Sequence, residues 1–374
     1  MSIPTGTDCP GAELVHRVKQ VADDPDSLVV VNCAGRTRSI IGCQSLVNAG
    51  LENRVVALEN GTMGWELAGF PVERGRDDHA PEPSPEARSW GEAAAARVGR
   101  RFGVRHIDHA VLATWQADPD RTTVLLDVRT PDEYEAGHLP GSVSAPGGQL
   151  VQATDEYVAT RHARLVLVDD TGVRATMTAS WLRQMGWHDA VVLDGALDGR
   201  SLDTGRPARR RVGRTPTISV SELARRISGD GAGLAVLDLG TSLKYRDKGH
   251  VPGAWWGVRS RMGQARAEIG DVETVVLTST DGQLAKLAVD DARRHWPGAE
   301  VLALAGGNKG WRHAGHDMEP GFTRPTTTAD DGWYKPYDHE GDVVQQHMQD
   351  YLTWEIALVE QLERDPTVSF PSFD

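Results

Sequence analysis

The sequence predicts an α/β protein made of three copies of one unit, each a parallel sheet flanked by helices, with the first copy lacking its N-terminal strand or strands. Two observations carry that expectation. An apolar strand, a short glycine-containing loop and a helical pattern recur at residues 29–40, 165–176 and 275–286, and self-similarity on this scale marks a repeat architecture. Apolar runs such as Val124-Leu125-Leu126-Asp127 and Val236-Leu237-Asp238 end on a charged residue, as a strand does where a sheet buried on both faces meets solvent.

Composition narrows the class further. The chain has 374 residues, enough for two or three domains, with 39% hydrophobic and 25% charged residues. No apolar run approaches the roughly 18 residues of a membrane span, and no charged region followed by an apolar core opens the sequence as a secretory signal would. A formal charge of −13 argues against a nucleic-acid partner, since binding needs a basic surface to displace counterions. The three cysteines, Cys9, Cys33 and Cys43, fit a reducing cytoplasm, and their spacing matches no zinc pattern. No metal or cofactor is expected.

In the first copy, Val29-Val30-Val31 reads as a strand and Asn32-Cys33-Ala34-Gly35-Arg36-Thr37-Arg38-Ser39 as the loop entering a helix. Backbone N–H groups and the helix dipole converge there on one anion. Arg36 and Arg38 add positive charge, so the expected species is a thiolate at Cys33 in a cradle of donors, suited to a negatively charged sulfur, phosphate or arsenate. Four residues separate Cys33 from Arg38, and a ring that small suits one terminal sulfur better than a tetrahedral oxyanion. Cys43, about two turns into the helix, is expected to face the core, and Cys9 lies in an irregular opening segment.

With Asn60-Gly61-Thr62-Met63-Gly64-Trp65 and Ala68-Gly69-Phe70-Pro71-Val72 behind it, this loop resembles the second half of a rhodanese domain. The family's loop is of the type Cys-x-x-Gly-x-Arg; here the glycine comes one place earlier. The resemblance implies a sulfurtransferase in which Cys33 carries a persulfide, with Ala34, Gly35, Arg36, Thr37, Arg38 and Ser39 binding substrate. It implies a small anionic sulfur donor such as thiosulfate and a thiol or cyanide acceptor, a protein acceptor being left open. Cell-cycle phosphatases and arsenate reductases resemble it with a loop one residue longer, which makes them the weaker alternative. A non-catalytic rhodanese-like binding or regulatory module is the main alternative.

In the second copy the front half is visible as Val124-Leu125-Leu126-Asp127-Val128-Arg129 and Gly137-His138-Leu139-Pro140-Gly141. The third has Val236-Leu237-Asp238-Leu239 and Gly249-His250-Val251-Pro252-Gly253-Ala254, without the arginine. His138 and His250 are read as structural parts of Pro-Gly turns. Aligned on Gly35, Gly172 and Gly282, the loops place Asp170 and then Thr280 where Cys33 stands, so copies two and three are expected to be inactive. A carboxylate at Asp170 should sit inside the ring of amides as a stabilised anion and fill the pocket.

From His138 to Asp170 is 32 residues and from His250 to Thr280 is 30, and the same count back from Cys33 reaches Met1. Met1-Ser2-Ile3-Pro4-Thr5-Gly6 should therefore take the place of the turn. Tandem rhodanese-like proteins of bacteria, which the chain resembles over most of its length, carry further upstream units. The expectation is a chain N-terminally shortened relative to them, the alternative being a missing strand supplied by another subunit or segment.

The domains expected are a partial unit with the active loop at 1–75, a linker with a helix at 76–104, inactive units at 105–206 and 216–322, and a helical tail at 332–366. The proline-rich stretch 77–85 should stay out of any sheet, residues 89–98 should be helical, and the basic run 209–214 should be a solvated linker. In the tail a helix starting near Asp342, with Gln345 in capping-box spacing, puts Val344, Met348, Tyr351, Leu352, Leu358, Val359 and Leu362 on one packing face.

Overall fold

The computed structural model describes residues 2–76, 78–206, 214–229, 231–339, 341, 343–367 and 369–373. The first repeat comprises α1 (Leu14–Val21), β1 (Val29–Val31), α2 (Thr37–Ala49), β2 (Val55–Ala57) and α3 (Gly61–Leu67), followed by α4 (Pro85–Arg101). The second comprises β3 (Arg105–Ile107), α5 (His109–Ala117), β4 (Thr123–Asp127), α6 (Pro131–Ala136), β5 (Val143–Ser144), α7 (Gly147–Gln152), α8 (Thr154–Tyr157), β6 (Arg164–Val168), α9 (Val173–Gln184) and β7 (Ala190–Leu193). The third comprises β8 (Thr217–Ile218), α10 (Val220–Ser228), β9 (Leu234–Asp238), α11 (Ser242–Lys248), β10 (Trp255–Trp256), α12 (Met262–Ile269), β11 (Thr274–Thr278), α13 (Gln283–His295), β12 (Glu300–Leu304) and α14 (Gly307–His313). A final helix, α15, spans Val343–Arg364.

The two complete sheets are parallel and share one order, β3-β7-β6-β4-β5 and β8-β12-β11-β9-β10. Their central strands are buried apolar runs, Leu165 to Val168 and Val275 to Leu277, with helices on both faces as a parallel sheet requires. In the first repeat β1 and β2 pair in parallel, Val29 opposite Val55, and occupy the places of β6–β7 and β11–β12. Among the described residues β1 has no strand on its other side, where β6 carries β4 and β11 carries β9. A cavity of ≈ 1260 Å³ lies along that side, lined by Val29, Val31, Asn32 and Cys33.

The opening residues nevertheless follow the repeat. Ser2 and Glu73 exchange backbone hydrogen bonds of 3.0 and 2.9 Å, the same antiparallel bridge that joins His138 to Asp203 and His250 to Glu319. Among its described residues the stretch 77–85 adds no strand to a sheet, as expected, and its one ladder contact is an isolated parallel bridge of His79 with Asp8, like that of Pro325 with Trp256. An isolated bridge leaves proline's missing donor unfelt.

The helix expected at 89–98 extends over α4, capped by Ser84 Oγ, which accepts from Ala87 N at 3.2 Å, with Pro85 in the first turn. It is core rather than connector: Ala94, Ala95 and Val98 pack with Val15 and Val18 of α1 and Val173 and Met177 of α9. One compact unit comprises Met1–Ala208 with Pro336–Asp374, and the other Arg209–Lys335. Of the basic run, residues 209–213 lie outside the described residues, as does Asp342. Met348 and Leu352 of α15 pack on Met63, whereas Val359 and Leu362 are exposed, so the expected apolar face is buried over its first half only. No helix among the described residues is long and apolar enough to cross a membrane.

Candidate active site

β1 ends at Val31, and the loop from Asn32 to Arg36 enters α2 at Thr37. The N-terminus of α3 fastens this loop: Thr62 N donates to the Cys33 carbonyl at 2.8 Å and Met63 N to that of Ala34 at 2.9 Å. Asn32 Nδ2 donates to Thr62 Oγ1 at 3.1 Å. Such close approach demands glycine at 61, where φ is +57° and a Cβ would lie 2.2 Å from the Cys33 carbonyl oxygen. The third repeat builds the same clasp, with Asn308 N on Ser279 O, Lys309 N on Thr280 O, and Gly307 also at +57°.

Cys33 is half-buried, and its Sγ–H donates to Ser39 Oγ at 3.5 Å, while the Ser39 hydroxyl donates to the Arg36 carbonyl at 2.8 Å. The seven sequence-expected residues are thus contiguous, Ser39 buried, Arg36 half-buried, Thr37 and Arg38 exposed. Two amides at the start of α2 are already engaged. Arg36 N donates to Glu355 Oε2 at 3.2 Å and Thr37 N to Oε1 at 2.9 Å, and the Thr37 hydroxyl donates to the same carboxylate. Glu355 comes from α15 and is 8% exposed. Beside it, burial and then the Glu355 charge push the Tyr351 hydroxyl above its ordinary pKa.

Gly35 does not share the backbone of its counterparts. Gly172 and Gly282 cap their helices in the left-handed region, at φ +77° and +79°, but Gly35 is not among the positive-φ glycines. Its missing side chain serves approach: a Cβ would fall 2.8 Å from Glu355 Oε2 and 2.9 Å from Tyr351 Cε1.

The second loop corrects the expectation for Asp170. The carboxylate inside the ring belongs to Asp169, which accepts from Gly172 N at 2.6 Å, Arg174 N at 2.9 Å and Ala175 N at 3.3 Å. Asp169 aligns with Asn32, one place before Cys33, and its side chain turns back over the loop. Nor is it a stabilised anion, because burial raises its pKa to about 6 against the pull of Arg174. Asp170 instead meets Arg174 Nη2 at 2.6 Å, and that pairing, opposed by burial, holds it below the usual carboxylate range.

The remaining candidates are structural. Burial and the neighbouring Glu13 push the Cys9 thiol up to about 12, which disfavours its thiolate. Cys43 packs against the core of the first repeat, with burial raising its pKa. His138 stacks on Tyr134 and His250 on Tyr245, at centroid distances of 3.7 and 3.6 Å, each bonded through Nδ1 to the backbone carbonyl of that tyrosine. Sequence reasoning missed Glu355. Its signal was a carboxylate three residues after Leu352 and seven after Met348, on the helix face that is otherwise apolar.

A family model, the Rhodanese-like domain, matches residues 108–201. The crystal structure of thiosulfate sulfurtransferase from Pseudomonas aeruginosa superposes with a TM-score of 0.92 at 48% identity, covering 100% of this chain and 70% of that one. The thiosulfate sulfurtransferase GlpE of Pseudoalteromonas translucida is 29% identical over 72 residues, 19% of this chain and 67% of that protein. A tRNA uridine(34) hydroxylase of Erwinia tasmaniensis is 26% identical over 97 residues, 24% of this chain, and the match spans only 28% of that relative's length. Repeated parallel α/β units, a thiol in the first strand-to-helix loop and this likeness over its full length agree: the chain belongs to the rhodanese-like sulfurtransferase family.

Proposed function

We propose that the chain moves a sulfane sulfur from thiosulfate or a similar donor to a thiol or cyanide through a persulfide on Cys33. The observation that carries this reading is the position of the thiol, between β1 and the first turn of α2, on the one loop of three that has a cysteine. In the first step the Cys33 thiolate attacks the outer sulfur of the donor. A new S–S bond forms as the donor's own S–S bond breaks, and sulfite leaves with the electron pair. In the second, the acceptor thiolate or cyanide attacks the terminal sulfur, and Cys33 recovers the electron pair of the persulfide bond. Within this reading Ala34, Gly35, Thr37 and Ser39 shape the sulfur pocket, while Arg36 and Arg38 orient the anionic donor and favour sulfite departure.

Incubation with thiosulfate and cyanide should give thiocyanate, and Cys33→Ser should abolish it. Mass spectrometry of the thiosulfate-treated chain should find one added sulfur on the peptide containing Cys33. Thiocyanate formation that survives in Cys33→Ser would rule the reading out, and phosphate release from an aryl phosphate would point instead to the phosphatase alternative.

A further inference from the structure

The first turn of a helix offers unpaired N–H groups and the positive end of its dipole, which is where the anionic part of a donor would bind. In this chain two of those groups, Arg36 N and Thr37 N, together with the Thr37 hydroxyl, already hold the carboxylate of Glu355. The contact is built rather than incidental. Glu355 is 8% exposed, Met348 and Leu352 on the same helix face are buried against Met63, and glycine at position 35 leaves the room the carboxylate and Tyr351 occupy.

The second repeat reaches the same end by another route. There Asp169, in the place of Asn32, supplies a carboxylate to the loop amides from within the loop. In the first repeat Asn32 turns its amide to Thr62 and the carboxylate comes instead from Glu355, 319 positions beyond Arg36 in sequence. In both loops the anion site is filled by the protein itself.

We propose that Glu355 is a specificity-determining residue that competes, from within the chain, for the anion site of the Cys33 loop. This rests on the sulfurtransferase reading of Cys33. A donor with an oxyanion group, such as the sulfonate end of thiosulfate, has to displace the carboxylate to reach the amides. A donor presenting a bare terminal sulfur, an organic persulfide, does not. The first loop is thereby biased toward persulfide donors and against oxyanions.

The test uses the full chain and two variants, Glu355→Gln, which keeps the size of the side chain and removes its charge, and Glu355→Ala. Alkylation of Cys33 by iodoacetamide is followed by peptide mass spectrometry as sodium sulfate is added. Sulfate should protect Cys33 in both variants at concentrations about tenfold or more below those needed in the parent, since a charge-assisted competitor has gone. In transfer assays the KM for thiosulfate should fall in the variants while that for an alkyl persulfide stays unchanged. Equal sulfate protection in parent and variants would overturn the proposal, as would an equal fall in KM for both donors, which would mean a loosened helix rather than a removed charge. Absence of any transfer in parent and variants alike would refute the proposed function, whereas the sulfate competition would still report on Glu355.

Discussion

Two carboxylates, Asp169 and Glu355, decide the character of their loops by accepting from the loop amides. Asp169 has a native pKa of about 6 against an ordinary value of 3.8, so between those limits the folded chain keeps a proton that the unfolded chain has lost. Stability must therefore fall as pH rises from about 4 to about 6, by up to about 3 kcal/mol, and stay reduced above that range. In Asp169→Asn this segment of the pH–stability curve should flatten, whatever the absolute cost of turning an amide nitrogen toward Arg174 N and Ala175 N; denaturant unfolding at a series of pH values measures it. Cys33, its loop and the Gly61 region were legible as residues because glycine, cysteine and arginine at short spacing have few other uses. Glu355 was not, because its partners lie 319 and 318 positions away and nothing local distinguishes a buried carboxylate from a solvated one.

At the scale of elements, periodicity told which segments are helical but not what they touch. The sequence of α4 announced a helix of high propensity, yet its burial between α1 and α9 follows from which alanines face inward, a tertiary fact. The face of α15 was likewise legible as a stripe, but only the part carrying Met348 and Leu352 finds a surface, and Val359 remains 63% exposed. Shortening Leu352 to alanine should loosen that contact by about 2 kcal/mol, since the cluster it belongs to is small. Hydrogen exchange should then quicken in α15 before it does in the central strands β6 and β11. The alkylation rate of Cys33 should rise in parallel, because the same helix carries Glu355 and Tyr351 to the loop.

Within the larger compact unit, the buried cation Arg174 ties the first repeat to the second. Arg174 is fully buried and pairs with Glu13 of the first repeat at 3.0 Å and with Glu133 and Asp170 of the second at 2.8 and 2.6 Å. Although burial opposes it, Arg174 lowers the Glu133 pKa to about 2 from 4.5, so this contribution is complete above pH 4.5 and fades as the pH drops toward 2. Arg174→Met leaves three carboxylates facing one another and should cost about 3–5 kcal/mol near neutral pH. The loss should shrink on acidification, which thermal melts at pH 7 and pH 3 can compare. Repeat number and strand polarity were readable from the sequence, whereas this tie was not, since an arginine at the start of a helix gives no hint that it will be enclosed. The span between the loop and its carboxylate also has a bearing on biosynthesis. At roughly 5–20 residues per second, the ribosome needs on the order of a quarter of a minute to a minute to pass from Cys33 to Glu355. Over that interval the nascent Cys33 loop lacks the carboxylate that engages its amides in the folded chain.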